Sequence, residues 1–328
     1  MDEFAFIERM KQSAYRQSSL VKGVGDDAAV FRQSARDIIT TADTLLEGVH
    51  FSRTMMNPFY MGYRALAANM SDIAAMGAKP AFYLVSIVIP DSCSDDELNS
   101  IYRGMSSAAS SQHMDLIGGD TVSGNELSIA ITVIGFVAQD KARYRSAARS
   151  GDFVFVTGTL GDAAAGFHML NTPKGYTDRT HYENSHCMPQ IRSDFATRLE
   201  SLNRVALNDI SDGIANEVNE IAEASNVGIT IYDDWLPTRS SFTQFSMDQQ
   251  RNWKLYGGED FELIGTVAEK EWETLKLIAA NTNTQLTHIG YAEPSENNGH
   301  HVTLIDHADH KTPLLKKGYT HRSSDKNG

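Results

Sequence analysis

The stretch AFYLVSIVI, residues 81–89, constrains the fold of this chain more than any other segment. It is a nearly continuous apolar run of strand length, the pattern of a strand buried on both faces. Helical spacing precedes it. Met61, Ala65, Ala68, Met70 and Ala74 predict a helix over 60–76, with Gly77 as its cap and Pro80 just beyond. The same reading predicts a helix over 2–14, on which Phe4, Ile7 and Met10 recur, and another over 95–112. Strands are expected at 37–41, 115–117 and 127–137, with an acidic loop after the first. Strands and helices alternate, which is an α/β pattern.

The second half begins near Asp140 with a basic connector, KARYRSAARSGD. A strand FVFVT, a glycine turn and a helix from Gly161 follow. The run 171–190 is polar and aperiodic and is expected to be a mobile surface loop. A strand at 206–210 and a helix at 214–225 come next, and 323–328 should fray. With 328 residues, 41% of them hydrophobic, the chain is long enough for two cores. Domains are expected at 1–138 and 139–328. The formal net charge of −13 argues against a nucleic-acid partner, whose phosphates would be repelled. Cys93 and Cys187 have no metal-type spacing and make no disulfide framework. The opening MDEFAFIERMKQ is not a basic leader, and no run approaches a membrane span of roughly 20 apolar residues. These features lead to the expectation of a cytoplasmic protein without a membrane partner.

The row GVGDDAAV, from Gly23, has the spacing G-x-G-x-x-A of a dinucleotide loop. That loop needs a strand before it, a helix after it and backbone amides facing a pyrophosphate. Here AAVF reads as a strand, and Asp26 and Asp27 would face the anion. No G-x-x-x-x-G-K-[ST] occurs either. What recurs is aspartate beside small residues in short turns: Asp26-Asp27, Asp43 in TTADT, Asp72 in NMSDIAAMG, Asp120 in IGGDT, and Asp209 with Asp212 in NDISDG. Ser71-Asp72 and Ser211-Asp212 echo one another, each read as opening a turn. Singly, such residues cap helices or turns. Jointly, gathered carboxylates repel and drive one another's pKa upward unless a cation joins them. Mg²⁺ suits them, because it is oxygen-ligated and commonly shared between one or two carboxylates and substrate phosphates.

The blocks GVGDDAA, TADTLLEGVHF, NMSDIAAMGAKP, LIGGDT, VTGTLGDAAAGF, DISDGIANEV, GGEDFEL and KGYTH occur in that order from about residue 23 to 321. Together they resemble the thiamine-monophosphate kinase family, within the superfamily of aminoimidazole ribonucleotide synthetase. The resemblance implies an α/β (α+β) protein of two domains, the first carrying Mg-ATP and dimerisation, with N-terminal sheets paired in a homodimer and an ATP cleft between the halves. It implies that Asp27, Thr41, Asp43, Asp72, Asp120, Asp209 and Asp212 serve Mg²⁺ and Mg-ATP. Gly119, Asp120, Arg145 and Ser211 would contact ATP, the co-substrate. His50, Glu259 and Tyr319 would contact thiamine monophosphate. Two positions depart from the pattern: Ala42 stands where a second hydroxyl is common, and Arg322 replaces an aromatic.

Each residue also has a plainer reading. His50 could be a surface histidine, Arg145 a solvated charge and Tyr319 a patch over a core edge, while Tyr102 is expected to be core. The glycines of TGTLGDAAAGF serve close packing or a substrate equally well. The implied reaction is phosphoryl transfer from ATP onto an existing phosphate, giving thiamine diphosphate. Its acceptor oxygen is already anionic, so no side-chain base or nucleophile is expected. Six aspartates with the phosphates of both substrates call for several Mg²⁺, on the order of four or five. Alternatives are a non-catalytic sensor of Mg²⁺ and thiamine phosphates, or another ATP-using member of the superfamily. No cysteine precedes the first glycine loop and none ends the chain, as two of those members would require.

Overall fold

The computed structural model describes residues 12, 14–22, 30–31, 35–172, 174–295 and 302–317. In chain order the first elements are β1 (Leu20–Lys22), β2 (Val30–Phe31), β3 (Arg36–Leu46), α1 (Pro58–Ala75), β4 (Lys79–Pro90), α2 (Asp95–Ser111), β5 (Asp115–Gly124) and β6 (Ser128–Ala138). There follow β7 (Asp152–Thr157), α3 (Asp162–Asn171), α4 (Arg179–Cys187), α5 (Ser193–Arg198), β8 (Val205–Asp209), α6 (Ile214–Ser225) and β9 (Val227–Tyr232). The last are α7 (Met247–Tyr256), β10 (Leu263–Ala268), α8 (Trp272–Asn281), β11 (Leu286–Pro294), β12 (Val302–Ile305) and β13 (Lys311–Pro313). They form two compact units, Met1–Ala142 with Cys187–Ser201, and Arg143–His186 with Leu202–Gly328. The return of Cys187–Ser201 to the first unit, where α5 packs on α1 and β4, carries no compositional mark. Among the described residues no helix is long and apolar enough to cross a membrane.

In the first unit a four-stranded sheet has the order β3-β6-β4-β5, with β6 antiparallel to both neighbours and β4 parallel to β5. Asn57 caps α1 by accepting from the Phe59 N–H, and Pro58 occupies the first turn, where a missing N–H costs nothing. Ser94 and Glu97 close a reciprocal capping box on α2. The two helices approach at Gly62 and Gly104. A Cβ at Gly104 would lie 1.9 Å from the Phe59 carbonyl oxygen, and one at Gly62 as near that of Ile101. At the start of β5 the buried Asp115 accepts from the backbone N–H groups of Arg16 and Gln17 and from the Gln12 amide. One carboxylate thereby fastens the chain before β1 to the sheet.

In the second unit seven strands run β13-β12-β9-β11-β7-β10-β8, antiparallel except for β12 beside β9. Period-two alternation gives the sheet two unlike faces. Val154, Val156, Ile229, Ile231, Ile264 and Ile289 share a core with Ile214, Val218 and Ile221 of α6. Each such side chain stabilises the fold by roughly 1.5–3 kcal/mol when fully buried. Phe153 of β7 instead stacks on His288 and meets Trp272 and Tyr291 edge-on.

Several expectations are corrected. The strand expected at 37–41 continues to Leu46, so Asp43 sits on β3 with Thr41, not in an acidic loop. The strand expected at 115–117 continues to Gly124 and carries Gly119 and Asp120 within it. Ser71-Asp72 lies inside α1, whereas Ser211-Asp212 lies in the turn before α6, so their echo is not a structural repeat. The segment 171–190 is not a loop throughout. It holds α4, anchored by the fully buried Tyr182, with too few apolar residues to announce a helix. The helix at 214–225 and the apolar strand within β4 stand as read. The expected helix over 2–14 and the frayed tail lie outside the described residues, apart from positions 12 and 14.

Gly104→Ala should lower stability by about 1–3 kcal/mol, the usual cost of overpacking, although alanine is the better helix former. Thermal unfolding checks it; a raised midpoint would mean that α1 and α2 do not touch there.

Candidate functional site

In the first unit, alternation along β3 puts Thr41 and Asp43 on one face and Ala42 on the other. Ala42 therefore stands on the face opposite that pair. On α1, Asn69 and Asp72 are three residues apart and share a side. Thr41 Oγ1 donates to Asp72 Oδ2 at 2.6 Å, and the Asp43 N–H donates to Asn69 Oδ1 at 3.0 Å. The buried Asn69 is oriented by its own Nδ2, which donates to the Ala65 carbonyl at 3.0 Å. Burial pushes the Asp43 carboxyl above its ordinary pKa, against the lowering pull of a hydrogen bond with Asp72 and of nearby His50. His50 accepts at Nδ1 from the Leu46 N–H at 3.1 Å, which leaves Nε2 to carry the proton of the neutral ring. Arg64 holds the same turn by donating to the His50 carbonyl.

Gly119 and Asp120 face Val85 and Ser86 of β4 in register, and a Cβ at Gly119 would meet the Val85 carbonyl at 1.9 Å. Asp120 Oδ1 accepts from the Thr121 N–H. Two strands separate β5 from β3. Three strand spacings are about 14 Å, so Asp120 does not join Thr41, Asp43 and Asp72. A cavity of about 570 Å³ in this unit is lined by Tyr83, Asn99, Tyr102 and Arg103, among others, and contains none of the predicted residues. Tyr102, expected in the core, lines that cavity half-buried, and burial pushes its hydroxyl up to about 12.

In the second unit, Asp209 ends β8, and Ser211, Asp212 and Gly213 turn the chain into α6. Gly213 has φ 101°, a region that side chains strain to enter, and its missing Cβ admits the backbone of Tyr256. The turn is zipped to the segment 258–262: the Glu259 N–H donates to the Ser211 carbonyl, the Phe261 N–H to that of Ile210, and the Ile210 N–H to that of Glu262. Glu259 and Phe261 hold positive φ, at 69° and 49°. Behind the turn stands Glu217, on the first part of α6. It accepts from the Asp212 N–H, the Ser211 hydroxyl and the Asn208 amide. Burial first, then the charge of Asp209, raises the pKa of its carboxyl, while the Asp212 N–H favours the carboxylate. Arg145 Nε donates to Asn208 Oδ1 at 2.9 Å, and its Nη1 pairs with Glu220 at 2.6 Å.

A second set of acids surrounds the turn after β7. Asp260 accepts from the Gly161 and Ala163 N–H groups, and Thr157 donates to Glu262. Thr159 donates to Asp162, which also lies 2.8 Å from His181 of α4. His186 Nδ1 lies 3.8 Å from Glu259. Sequence reasoning missed Glu217, Asn208, Asp260, His181 and His186. The acids of DISDGIANEV and GGEDFEL were in view, but their partners were not; α4 carried no signal that would assign its histidines. Among the described residues no three His, Cys, Asp or Glu side chains form a ready-made metal cage. Asp27 and Tyr319 lie outside the described residues.

The AIR synthase related protein N-terminal domain matches residues 25–137, and the C-terminal domain of the same family matches 149–303. With its two sheets and helices, the chain belongs to the AIR synthase related proteins and has their two-domain α/β fold. It is 41% identical to the thiamine-monophosphate kinase of Bacillus subtilis (strain 168) over 98% of this chain and 99% of that protein. The crystal structure of thiamine-monophosphate kinase from Stenotrophomonas maltophilia K279a covers 93% of this chain and 96% of its own, at 32% identity and a TM-score of 0.83. The structure of AaThiL complexed with AMPPCP and TMP covers 98% and 97%, at 27% identity and a TM-score of 0.77. Within its class the chain is a member of the thiamine-monophosphate kinase family.

Burial pushes Asp260 well above the ordinary aspartate value of 3.8, although two N–H donors pull it down. The folded state therefore binds this proton more tightly than the unfolded chain. Its contribution is fully present below about pH 4 and declines as pH rises toward the folded pKa. Asp260→Asn should remove that part of the slope. Thermal midpoints of both proteins from about pH 4 upward check it, and parallel curves would show that Asp260 does not titrate anomalously.

Proposed function

We propose that this chain is an ATP-dependent kinase that phosphorylates thiamine monophosphate to thiamine diphosphate, the last step of thiamine diphosphate biosynthesis. One observation carries the reading: 41% identity, over nearly the full length of both chains, to the thiamine-monophosphate kinase of Bacillus subtilis. The related complex with AMPPCP and TMP supports the pair of substrates. ATP is the phosphoryl donor and thiamine monophosphate the acceptor.

Mg²⁺ is the proposed metal, and the residues fit it. Thr41, Asp43 and Asp72 offer only hard oxygen donors, and the Thr41–Asp72 contact of 2.6 Å shows how close they stand. Among the described residues too few carboxylates gather to enclose an ion alone, which suits a cation that keeps waters and shares its remaining positions with phosphate oxygens. In the first unit Thr41, Asp43 and Asp72 would hold Mg²⁺, as would Asp27, and Asp120 would serve Mg-ATP together with Gly119. In the second, Asp209 and Asp212 would hold Mg²⁺, while Arg145 and Ser211 bind the nucleotide. His50, Glu259 and Tyr319 would take thiamine monophosphate. When bound, Mg²⁺ supplies charge neutralisation at the phosphate oxygens.

The residues of the chain then have to position. Glu259 presents a carboxylate suited to the cationic thiamine rings. Arg145 is oriented by Asn208 and Glu220, and a planar guanidinium is the natural fork for phosphate. The acceptor phosphate attacks directly with its own anionic oxygen, so no side chain needs to remove a proton. A cytoplasmic homodimer completes the proposal, with the first unit paired through its sheet. In its support, β3 and β5 are the outer strands of that sheet and carry the exposed Ile38 and Val122.

The direct test offers thiamine, thiamine monophosphate and thiamine diphosphate separately with Mg-ATP. ADP should appear with the monophosphate alone, and release with free thiamine instead would replace the assignment. Asp72→Asn keeps an acceptor for Thr41 but removes the charge. It should cost at least about a hundredfold in rate while the fold survives, as losses of transition-state charge stabilisation do. Near-normal turnover at limiting Mg²⁺ would take Asp72 out of the metal set.

A further inference from the structure

We propose that Glu217 is a positioning residue, which through Asn208 sets Arg145 and the turn 209–213 in one fixed relation. The inference rests on the kinase reading, which gives those two features to the nucleotide and its metal; none of the roles above includes Glu217, and Asn208 enters them only as a partner of Arg145. The argument is the direction of each hydrogen bond. Arg145 has donors only, and its Nε occupies Asn208 Oδ1. The Asn208 amide must therefore present Nδ2 on its other side, where Glu217 Oε2 accepts. At the far end the Asp212 N–H is also a donor only, and Glu217 Oε1 takes it at 3.1 Å, with the Ser211 hydroxyl at 3.5 Å. With a donor fixed at each end, both oxygens of residue 217 have to accept.

Burial makes the arrangement stringent. Asn208 is 2% exposed and Glu217 3%, so water cannot readily replace a lost partner. Glu220, one turn further along α6, pairs with the same guanidinium, and the Arg145 carbonyl accepts from Ser225 at the end of that helix. The connector bearing Arg145 and the turn bearing Asp209, Ser211 and Asp212 are thus both referenced to α6. In the proposed chemistry Glu217 touches neither phosphate nor metal, and acts through Asn208, Ser211 and Asp212.

Glu217→Gln has nearly the same shape but brings one new donor. Placed toward Asn208 it meets Nδ2; placed toward Asp212 it meets the backbone N–H. Flipping Asn208 only moves the conflict to Arg145. Asn208→Asp combined with Glu217→Gln reverses a single bond: the new amide donates to the new carboxylate, which still accepts from Arg145 on its other oxygen. The full-length protein, E217Q, N208D and the double variant are compared in three ways: Mg²⁺-dependent affinity for AMPPCP, hydrogen exchange over 208–217, and steady-state kinetics.

E217Q should weaken Mg-AMPPCP binding and raise the KM for ATP by about tenfold or more, with the KM for thiamine monophosphate nearly unchanged. Exchange over 208–217 should quicken. The double variant should recover to within about threefold of the starting protein in binding, with its exchange protection restored. A double variant as impaired as E217Q would overturn the relay, as would an E217Q protein with unaltered affinity and exchange. If the starting protein does not phosphorylate thiamine monophosphate, the kinase reading fails, while binding and exchange still decide the relay.

Discussion

A carboxylate removed from water needs donors at both oxygens, and much of this molecule is organised around meeting that need. Asp115 is met by two backbone N–H groups and a glutamine amide, Asp260 by two backbone N–H groups, and Glu217 by an asparagine, a serine and a backbone amide. An unpaired buried carboxylate costs several kcal/mol, so each of these acids dictates the course of the chain that supplies its donors. Asp115 draws residues 12–17 onto β5, Asp260 draws the start of α3 onto the segment 258–262, and Glu217 fixes the turn before α6.

Other acids are arranged differently. Asp43 and Asp72 meet each other, Thr41 and the neighbourhood of His50. Two carboxylates in contact, one of them already raised by burial, are poised for a cation, because a cation compensates the charge that burial disfavours. The contrast separates two uses of one side chain. Acids saturated by donors shape the backbone, whereas Asp43 and Asp72, which meet one another, are among those the proposed function assigns to Mg²⁺.

The period-two and period-3.6 patterns were legible because they depend on local geometry alone. The apolar run in β4, the helix at 214–225 and the Ala-rich course of α1 followed from side-chain spacing. Strand ends were less legible. β3 and β5 continue past their apolar cores into Thr41-Ala42-Asp43 and Gly119-Asp120, where polar residues stay extended because partner strands take their backbone groups. The helix α4 was illegible for a related reason. Its anchor is one buried tyrosine, Tyr182, packed on Phe242 and Phe245 from a segment sixty residues away.

The sequence by itself determined the candidate acids and the order of their motifs, because chemistry requires particular atoms and those atoms are written in the chain. It also determined which segments could bury an apolar face. Tertiary structure alone decided which acids have company. Asp72 meets Thr41 across a strand and a helix 31 residues apart, while Asp120, on the same sheet, lies three strands away. Glu217 became a hub only when Asn208 and the connector at Arg145 were brought to it. Hydrogen bonds act within about 3 Å, and no linear pattern records which distant segments will come that close.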